Sequence, residues 1–496
     1  MASKPPNIQF LEAPCFGPIV RYGPNRYSFD DATASKAIYG HGTAFAKSDW
    51  YFAWGVPGQW NLFEERDIAK HAQYRRQFQS AYSMSALVEY EPYVDECADL
   101  FSQRLEELSR SSSGGDGGGG LPVNMGHWLQ CYAFDVIGCI TYSKRLGFLD
   151  QGRDVGGLIT ALEHSLVYST LAGVYSYLYP YLFKLSGLLA TATRNEGIGG
   201  VGYVVNFTRE MIAEHQAAPK ALDDDEDGDD NAKVNTSGKA RDFLSKFLTR
   251  HTQDPNTFTT YHIFQGCGSN MVAGSDTTSI SLSATLYYLL KNPACLQKLR
   301  EEVTKVEHEQ EQEQQESEKE ITTTTTTATT TRHITLKQSQ EEMPYLQAVI
   351  KEGLRLHPAT GLPLERIVPP GGATICGRFF PEGSTVGVNT WVEHRNTRIF
   401  GTDADEFRPE RWLTEDSEKL AFMNRHWMPF GLGSRTCLGR HISHLEISKL
   451  IPRLVRDFDF ELAGDLANKD VSWSTENYWF VKPKDFMVRV ISRKSS

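Results

Sequence analysis

Cysteine, positive charge and long apolar runs are all scarce in this 496-residue chain, and each scarcity removes a class of protein. The eight cysteines, at 15, 97, 131, 139, 267, 295, 376 and 437, form no CxxC pair and keep no regular spacing. A disulfide framework, a zinc finger and a thioredoxin-like redox centre are thereby excluded. Lysine and arginine total 51 against 62 acidic residues, a net charge of −11, which leaves no general grip on phosphate backbones, so nucleic acid is not expected as a partner. The opening stretch MASKPPNIQFLEAPCFGPIV has neither the apolar core of a signal peptide nor the run of about 20 apolar residues that spans a membrane. A chain facing the cytosol, without an N-terminal transmembrane helix, is expected. The one long uncharged segment, Ser165–Phe183, holds five tyrosines, a glycine and a proline, and reads as a bundle helix or a segment lying in a membrane interface.

What is present is an ordinary globular composition, 40% hydrophobic, 23% charged and 11% aromatic, with room for a large core. Low-complexity stretches interrupt it near residues 109–120, 221–238 and 307–332: a Ser/Gly linker, an acidic block, and Glu/Gln repeats running into threonines. None can bury enough apolar area to offset its ordering entropy, so they are read as expanded loops of one domain. That domain is expected over 17–496, behind an N-terminal tail over 1–16.

Helical periodicity dominates, at Ala69–Met84, Leu87–Leu108, Leu121–Tyr142, Gly200–His215, Phe243–Arg250, Thr259–Lys291, Asn292–Glu309, Glu342–Leu356 and Arg440–Phe458. The stretch Thr259–Lys291 is apolar or small on nearly every face and belongs in the core. Strand patterns are short: Ile19–Tyr22, Arg26–Phe29, Thr374–Ile375, Thr385–Asn389 and Phe486–Ile491. The fold class expected is mainly α with a small β region.

One segment carries distinctive chemistry. Phe430–Gly439 reads FGLGSRTCLG and is followed at once by a helix. Glycines at 431 and 433 permit a tight turn with positive φ whose N–H groups point at the Cys437 sulfur, and the helix start also favours an anion; both would lower the thiol pKa. A lone thiolate in a rigid loop suits one axial bond to a haem iron better than a tetrahedral zinc site, which needs further ligands nearby. The plainer alternative is a Gly-rich turn with a buried cysteine.

The pattern F-x-x-G-x-R-x-C-x-G resembles the haem-binding loop of the cytochrome P-450 superfamily, the haem-thiolate monooxygenases. The resemblance implies that Cys437 is the axial ligand of haem b, that Phe430 packs beside the sulfur, that Arg435 pairs with a haem propionate, and that Gly439 lets the next helix approach the ring. Within KEGLRLHP, Glu352 and Arg355 stand at i and i+3, by themselves an ordinary surface pair. The resemblance turns them, with Arg411 of FRPERW, into a buried structural lock beneath the haem. Ala273-Gly274-Ser275-Asp276-Thr277-Thr278 in the long helix resembles the family's oxygen-activation motif. There Ala273 and Gly274 remove bulk and a hydroxyl loosens the helix, while Asp276 and Thr277 handle protons; the bland reading is polar residues tolerated in a core helix. His71 and Arg75, at i and i+4 in KHAQYRR, read alone as a solvated basic face; the resemblance makes them propionate partners, with Arg366 as a further candidate.

Matching segments run from about Gly17 to Val490, and GQWNLFEERDIAKHAQYRRQFQSAYSMSAL is most similar to fungal enzymes of the pisatin-demethylase and benzoate-hydroxylase type. The resemblance implies an enzyme inserting one atom of dioxygen into an apolar small molecule of secondary metabolism, by hydroxylation, epoxidation or oxidative demethylation. It also implies substrate contacts before His71, in Tyr168–Phe183, along Phe264–Thr277 and near Pro358–Pro363. Electrons must come from outside, since no flavin- or nicotinamide-binding segment is evident; an NADPH-cytochrome P-450 reductase is the implied partner, docking on a basic patch of Lys70, Arg76, Arg425, Arg440 and Lys449. Association with the endoplasmic reticulum is the implied location. Two other chemistries remain open: isomerisation or dehydration without dioxygen, and a non-catalytic haem sensor.

Overall fold

A computed structural model describes residues 17–110, 120–193, 201–217, 242–320 and 333–493. The expected tail over 1–16, and most of the low-complexity stretches (111–119, 221–238 and 321–332), lie outside the described residues. The principal helices are α1 (Ala32–Tyr39), α2 (Ile68–Phe78), α3 (Met84–Arg110), α4 (Met125–Tyr142), α5 (Leu158–Val174), α6 (Tyr179–Thr193), α7 (Val201–Ala217), α8 (Phe243–Gln253), α9 (Thr260–Lys291), α10 (Pro293–Glu320), α11 (Pro344–Leu356), α12 (Ser417–His426) and α13 (Arg440–Asp457). The strands are β1 (Ile19–Gly23), β2 (Arg26–Phe29), β3 (Ala46–Lys47), β4 (Val123–Asn124), β5 (Arg366–Ile367), β6 (Ala373–Ile375), β7 (Arg378–Phe380), β8 (Thr385–Val388), β9 (Phe458–Leu462), β10 (Ser474–Tyr478), β11 (Phe480–Lys484) and β12 (Met487–Ser492).

The main sheet runs β1-β2-β8-β5-β3, with β2 parallel to β8 and the other pairs antiparallel. Phe29, Val386 and Val388, fully buried, seat it against α1. A second sheet, β4-β12-β9, and two hairpins, β6-β7 and β10-β11, complete the β region. Most helices surround α9, which crosses the largest apolar cluster. Polar residues are tolerated in that helix because their hydroxyls bond its own carbonyls one turn back: Ser275 to Met271 at 3.0 Å, Thr277 to Ala273 at 2.7 Å, Ser281 to Thr277 and Thr285 to Ser281 at 2.8 Å.

The long helix α9 runs continuously through Ala273–Thr278, where the Thr277 hydroxyl bonds the carbonyl a turn earlier and Gly274 admits α4, for a Cβ there would stand 3.0 Å from Ile137 Cδ1. Two expectations need correction. The Glu/Gln repeats begin as helix: α10 continues to Glu320, well past Glu309, since these residues are good helix formers. Lys449 is no part of a surface patch: it lies inside, bonded to Glu91 at 2.7 Å and Asp95 at 2.9 Å, because α13 is a core helix. Segment Ser165–Phe183 forms the end of α5, a short 3₁₀ turn and the start of α6, and no helix among the described residues is long and apolar enough to cross a membrane.

Candidate active site: an interior cavity with Cys437 on its wall

Between α9, the loop before α13 and the main sheet lies a cavity of about 490 Å³. All nine residues expected to act in catalysis or to bind a cofactor line it together: His71, Arg75, Asp276 and Thr277, then Arg366, Phe430, Arg435, Cys437 and Gly439. Glu352, Arg355 and Arg411 do not.

The cysteine loop is built as its glycines require. Gly431 and Gly433 take φ of +70° and +65°, and a Cβ on Gly433 would fall 1.9 Å from the Tyr39 carbonyl oxygen, so no other residue fits there. Cys437 N–H donates to Phe430 O at 2.8 Å, which closes the turn. The thiol is accessible only as part of the cavity wall, and its pKa corrects an expectation. Burial pushes it up, outweighing the Gly439 and Arg440 N–H groups and the Arg75 and Arg440 charges that pull it down. Phe430 packs on Trp427 and His444, with ring centroids 5.9 and 5.3 Å away.

One end of the cavity is cationic. Burial first, then Arg435, Lys47, Arg75 and Arg366, pull the His71 pKa down to about 3. Burial and Arg366 lower Arg435 to about 10, while burial, Arg366 and Arg435 push Lys47 well below its ordinary value. Lys47 lies 4.3 Å from the Tyr51 ring centroid and 4.1 Å from that of Phe63, and donates to Phe63 O. Arg435 is held by the carbonyls of Glu65 and Arg66, and Arg366 by those of Leu364 and Glu365. Among the described residues none of these cations pairs with a carboxylate. Lys47 was missed because AFAKSDW carries no motif; only β3 pairing with β5 sets it beside Arg366.

The Glu352 cluster is the opposite. Glu352 Oε1 accepts from Arg355 and Arg411 at 2.8 Å and from Arg408 N at 3.0 Å; Oε2 accepts from Arg355 at 2.8 Å and Trp412 Nε1 at 2.9 Å. Both guanidiniums spend their remaining donors on the carbonyls of His394, Ala404, Glu406, Phe400 and Asp403 and on the Asp403 carboxylate. His394 carries this cluster toward the cysteine loop, a link the sequence did not suggest: its Nδ1 bonds Arg355 O and its Nε2 accepts from Met428 N, both at 2.9 Å. Burial and Arg355 keep that ring neutral.

Asp276 is buried, held by Gln130 Nε2 at 2.6 Å and Lys482 Nζ at 2.9 Å, while the adjacent Thr277 faces the cavity. A family model described as cytochrome P-450 matches residues 13–488. The chain belongs to the cytochrome P-450 family. Relatives include a pisatin demethylase of Fusarium vanettenii, 39% identical over 471 residues that cover 95% of this chain and 82% of that protein. A cytochrome P-450 monooxygenase of Aspergillus terreus is 37% identical over 451 residues, 90% and 83% of the two chains. The monooxygenase cicH of Emericella nidulans is 34% identical over 489 residues, 96% and 87% of the two. With these relatives the cytochrome P-450 described here is a monooxygenase, and isomerase or sensor chemistry is not favoured. The family binds haem through a cysteine thiolate and takes electrons from a redox partner. The cavity fits such a group: one thiol on its wall, an open space where a Cβ at Gly439 would meet no atom within 4 Å, and a cationic end whose side chains pair with no carboxylate among the described residues.

Proposed function

We propose that Cys437 is the axial thiolate of haem b, and that Lys47, His71, Arg75, Arg366 and Arg435 receive the propionates at the cationic end. The single observation that carries this reading is one cavity with a lone thiol on its wall and unbalanced cations at one end. Bound there, haem supplies the oxygen chemistry, placing one atom of dioxygen in the substrate and reducing the other to water with NADPH-derived electrons. The protein's part is to hold and to deliver. Phe430 and Gly439 shape the loop and the open space beside the sulfur, and the Glu352–Arg355–Arg411 lock, through His394 and Met428, holds that loop in register. Asp276 passes protons to the cavity beside Thr277.

The substrate reading is an apolar small molecule of fungal secondary metabolism. Trp54, Phe63, Phe264, Trp479 and Phe480 supply an aromatic wall for it. An NADPH-cytochrome P-450 reductase is the proposed donor, docking where Lys70, Arg76, Arg425 and Arg440 are exposed. Leu171, Val174, Tyr175, Tyr177, Tyr181 and Leu188 form an exposed apolar surface on α5, α6 and their connection, which supports peripheral contact with the endoplasmic reticulum membrane. Residues 17–496 are read as one catalytic domain.

The deciding experiment is spectroscopic. Purified protein, reduced under carbon monoxide, should show the thiolate-type Soret band of one bound haem, and Cys437→Ala should abolish it. A band that survives the substitution refutes the ligand. Product formed under strict anaerobiosis without reductant would refute oxygen insertion.

A further inference from the structure

A large side chain enters the left-handed region of backbone space only against strain, and among the described residues one aromatic does so. Trp479 has φ +74° and is the single residue between β10 and β11, whose Tyr478 and Phe480 already pair. Glycine would turn there freely. The indole is instead held as a hub: its ring centroid lies 4.9 Å from that of Trp50, 5.9 Å from those of Tyr51 and Trp54 and 6.0 Å from that of Phe63, all tilted or edge-on. Gly361 N–H, donating to Trp479 O at 2.9 Å, fixes the turn. Tyr51, Trp54 and Phe63 line the cavity together with Trp479. Backbone strain retained to hold a flat ring in a cavity wall is a feature of binding sites, where the surrounding structure imposes it.

Helices α5 and α9 add a second kind of surface. The hydroxyls of Ser275, Thr277 and Ser281 in α9, like that of Thr208 in α7, bond carbonyls one turn back. Ser165 and Ser169 on α5 and Ser269 on α9 line the cavity with hydroxyls that make no hydrogen bond among the described residues. Gln265, one turn before Ser269, donates its amide N–H to Tyr261 Oη at 2.6 Å, and its Oε1 is left without a donor among the described residues. Charge is missing here, since no cavity-lining residue of α5, α7 or α9 ahead of Asp276 carries any. Of the two acids on the wall, Asp276 is answered by Lys482 at 2.9 Å, and burial pushes the Glu446 pKa well up, which leaves a neutral carboxyl.

Resting on the reading of this cavity as a haem-thiolate monooxygenase site, we propose that its substrate is an uncharged, fused aromatic molecule bearing oxygen substituents, at least one of them a hydroxyl. The ring system packs on Trp479 and its neighbours by offset and edge contacts. The hydroxyl donates to Gln265 Oε1, and further oxygens accept from Ser165, Ser169 or Ser269. Saturated molecules of the same size lack the quadrupole that the rings recognise. Carboxylates and ammonium ions bring a charge that nothing outside the cationic end answers, and that end is assigned to the propionates.

The test is equilibrium dialysis of the haem-loaded protein against simple probes. 6-Methoxy-2-naphthol should bind about tenfold more tightly than decahydro-2-naphthol, which lacks the aromatic rings. It should bind about fivefold more tightly than 2,6-dimethoxynaphthalene, which lacks the donor. 2-Naphthoate should not bind. Gln265→Leu should erase the preference for the naphthol over the dimethoxy probe and leave the dimethoxy probe's affinity unchanged, a split that mere damage to the cavity would not produce. Trp479→Gly, which keeps the turn without strain, should erase the preference for aromatic over saturated rings. Decahydro-2-naphthol or 2-naphthoate binding as tightly as 6-methoxy-2-naphthol overturns the assignment, and so does a Gln265→Leu protein that weakens both methoxy probes alike. Should Trp479→Gly not fold, the wild-type ranking and Gln265→Leu decide. A missing thiolate Soret band with the probe ranking intact refutes the haem ligand alone, whereas an intact band with the ranking lost refutes the substrate class alone.

Discussion

Glu352, Arg355 and Arg411 on one side, and Lys47, His71, Arg75, Arg366 and Arg435 on the other, are groups of ionisable side chains taken out of water, yet they are completed in different ways. In the first, every donor of both guanidiniums finds an acceptor and the carboxylate takes five hydrogen bonds. In the second, carbonyl groups hold Lys47, Arg366 and Arg435 in place, no carboxylate is paired with these side chains among the described residues, and burial together with the neighbouring cations pushes Lys47, His71 and Arg435 toward the neutral form. Buried charge that is answered within the protein is architecture. Buried charge left unanswered is a binding site whose counter-charge arrives with the ligand.

Substitutions should separate the two clusters by sign. The largest effect is expected at the closed one: Glu352→Gln leaves two buried guanidiniums without their anion and should cost about 3–5 kcal/mol, read as a lowered denaturant midpoint or as failure to accumulate folded protein. Glu352→Gln protein as stable as wild type would break the comparison. Next comes Arg435→Gln at the open cluster, where haem should transfer to an acceptor protein about tenfold faster, the equivalent of roughly 1.4 kcal/mol, while the haem-free chain loses no stability. Loss of stability in the haem-free state would place Arg435 with the architecture instead. Lys47→Met should act in the same direction with a smaller change in haem release, because aromatic rings on two sides partly support its ammonium.

The smallest effect is expected from Glu64, the carboxyl nearest Lys47 in charge terms. Burial pushes its pKa up to about 8. A carboxyl raised in the folded state binds its proton more tightly there than in the unfolded chain. Its contribution is therefore fully present below the ordinary value of 4.5 and is lost as pH rises to about 8. Glu64→Gln should flatten stability across that window by an amount of order 1 kcal/mol after the site relaxes, measured as denaturant midpoints at a series of pH values. An unchanged profile would show that Glu64 is ionised in the folded protein.

The strands most easily read in the sequence, Arg26–Phe29 and Thr385–Val388, pair with each other in the middle of the main sheet, the second buried along its whole length. β10 and β11 escaped because STENY and FVKPK mix charge and proline with apolar residues; what makes them a hairpin is their pairing and the packing of Trp479 and Phe480 near the cavity. Ser417–His426 was missed for a similar reason, since only two of its residues are buried and its apolar periodicity is weak.

Sequence alone determined whatever a few neighbouring residues can encode: the positive-φ turns at Gly431 and Gly433, the thiol at Cys437, the Glu352–Arg355 spacing and the small-residue stretch at Ala273–Gly274. Such features depend on backbone geometry within one or two turns, and they survive as a readable pattern. Tertiary structure alone decided that Lys47 joins the cations, that His394 ties the lock to the cysteine loop, that Lys482 rather than solvent meets Asp276, and that the Cys437 thiol is raised rather than lowered. These are matters of burial and of charge at a few ångströms, set by segments tens to hundreds of residues apart along the chain.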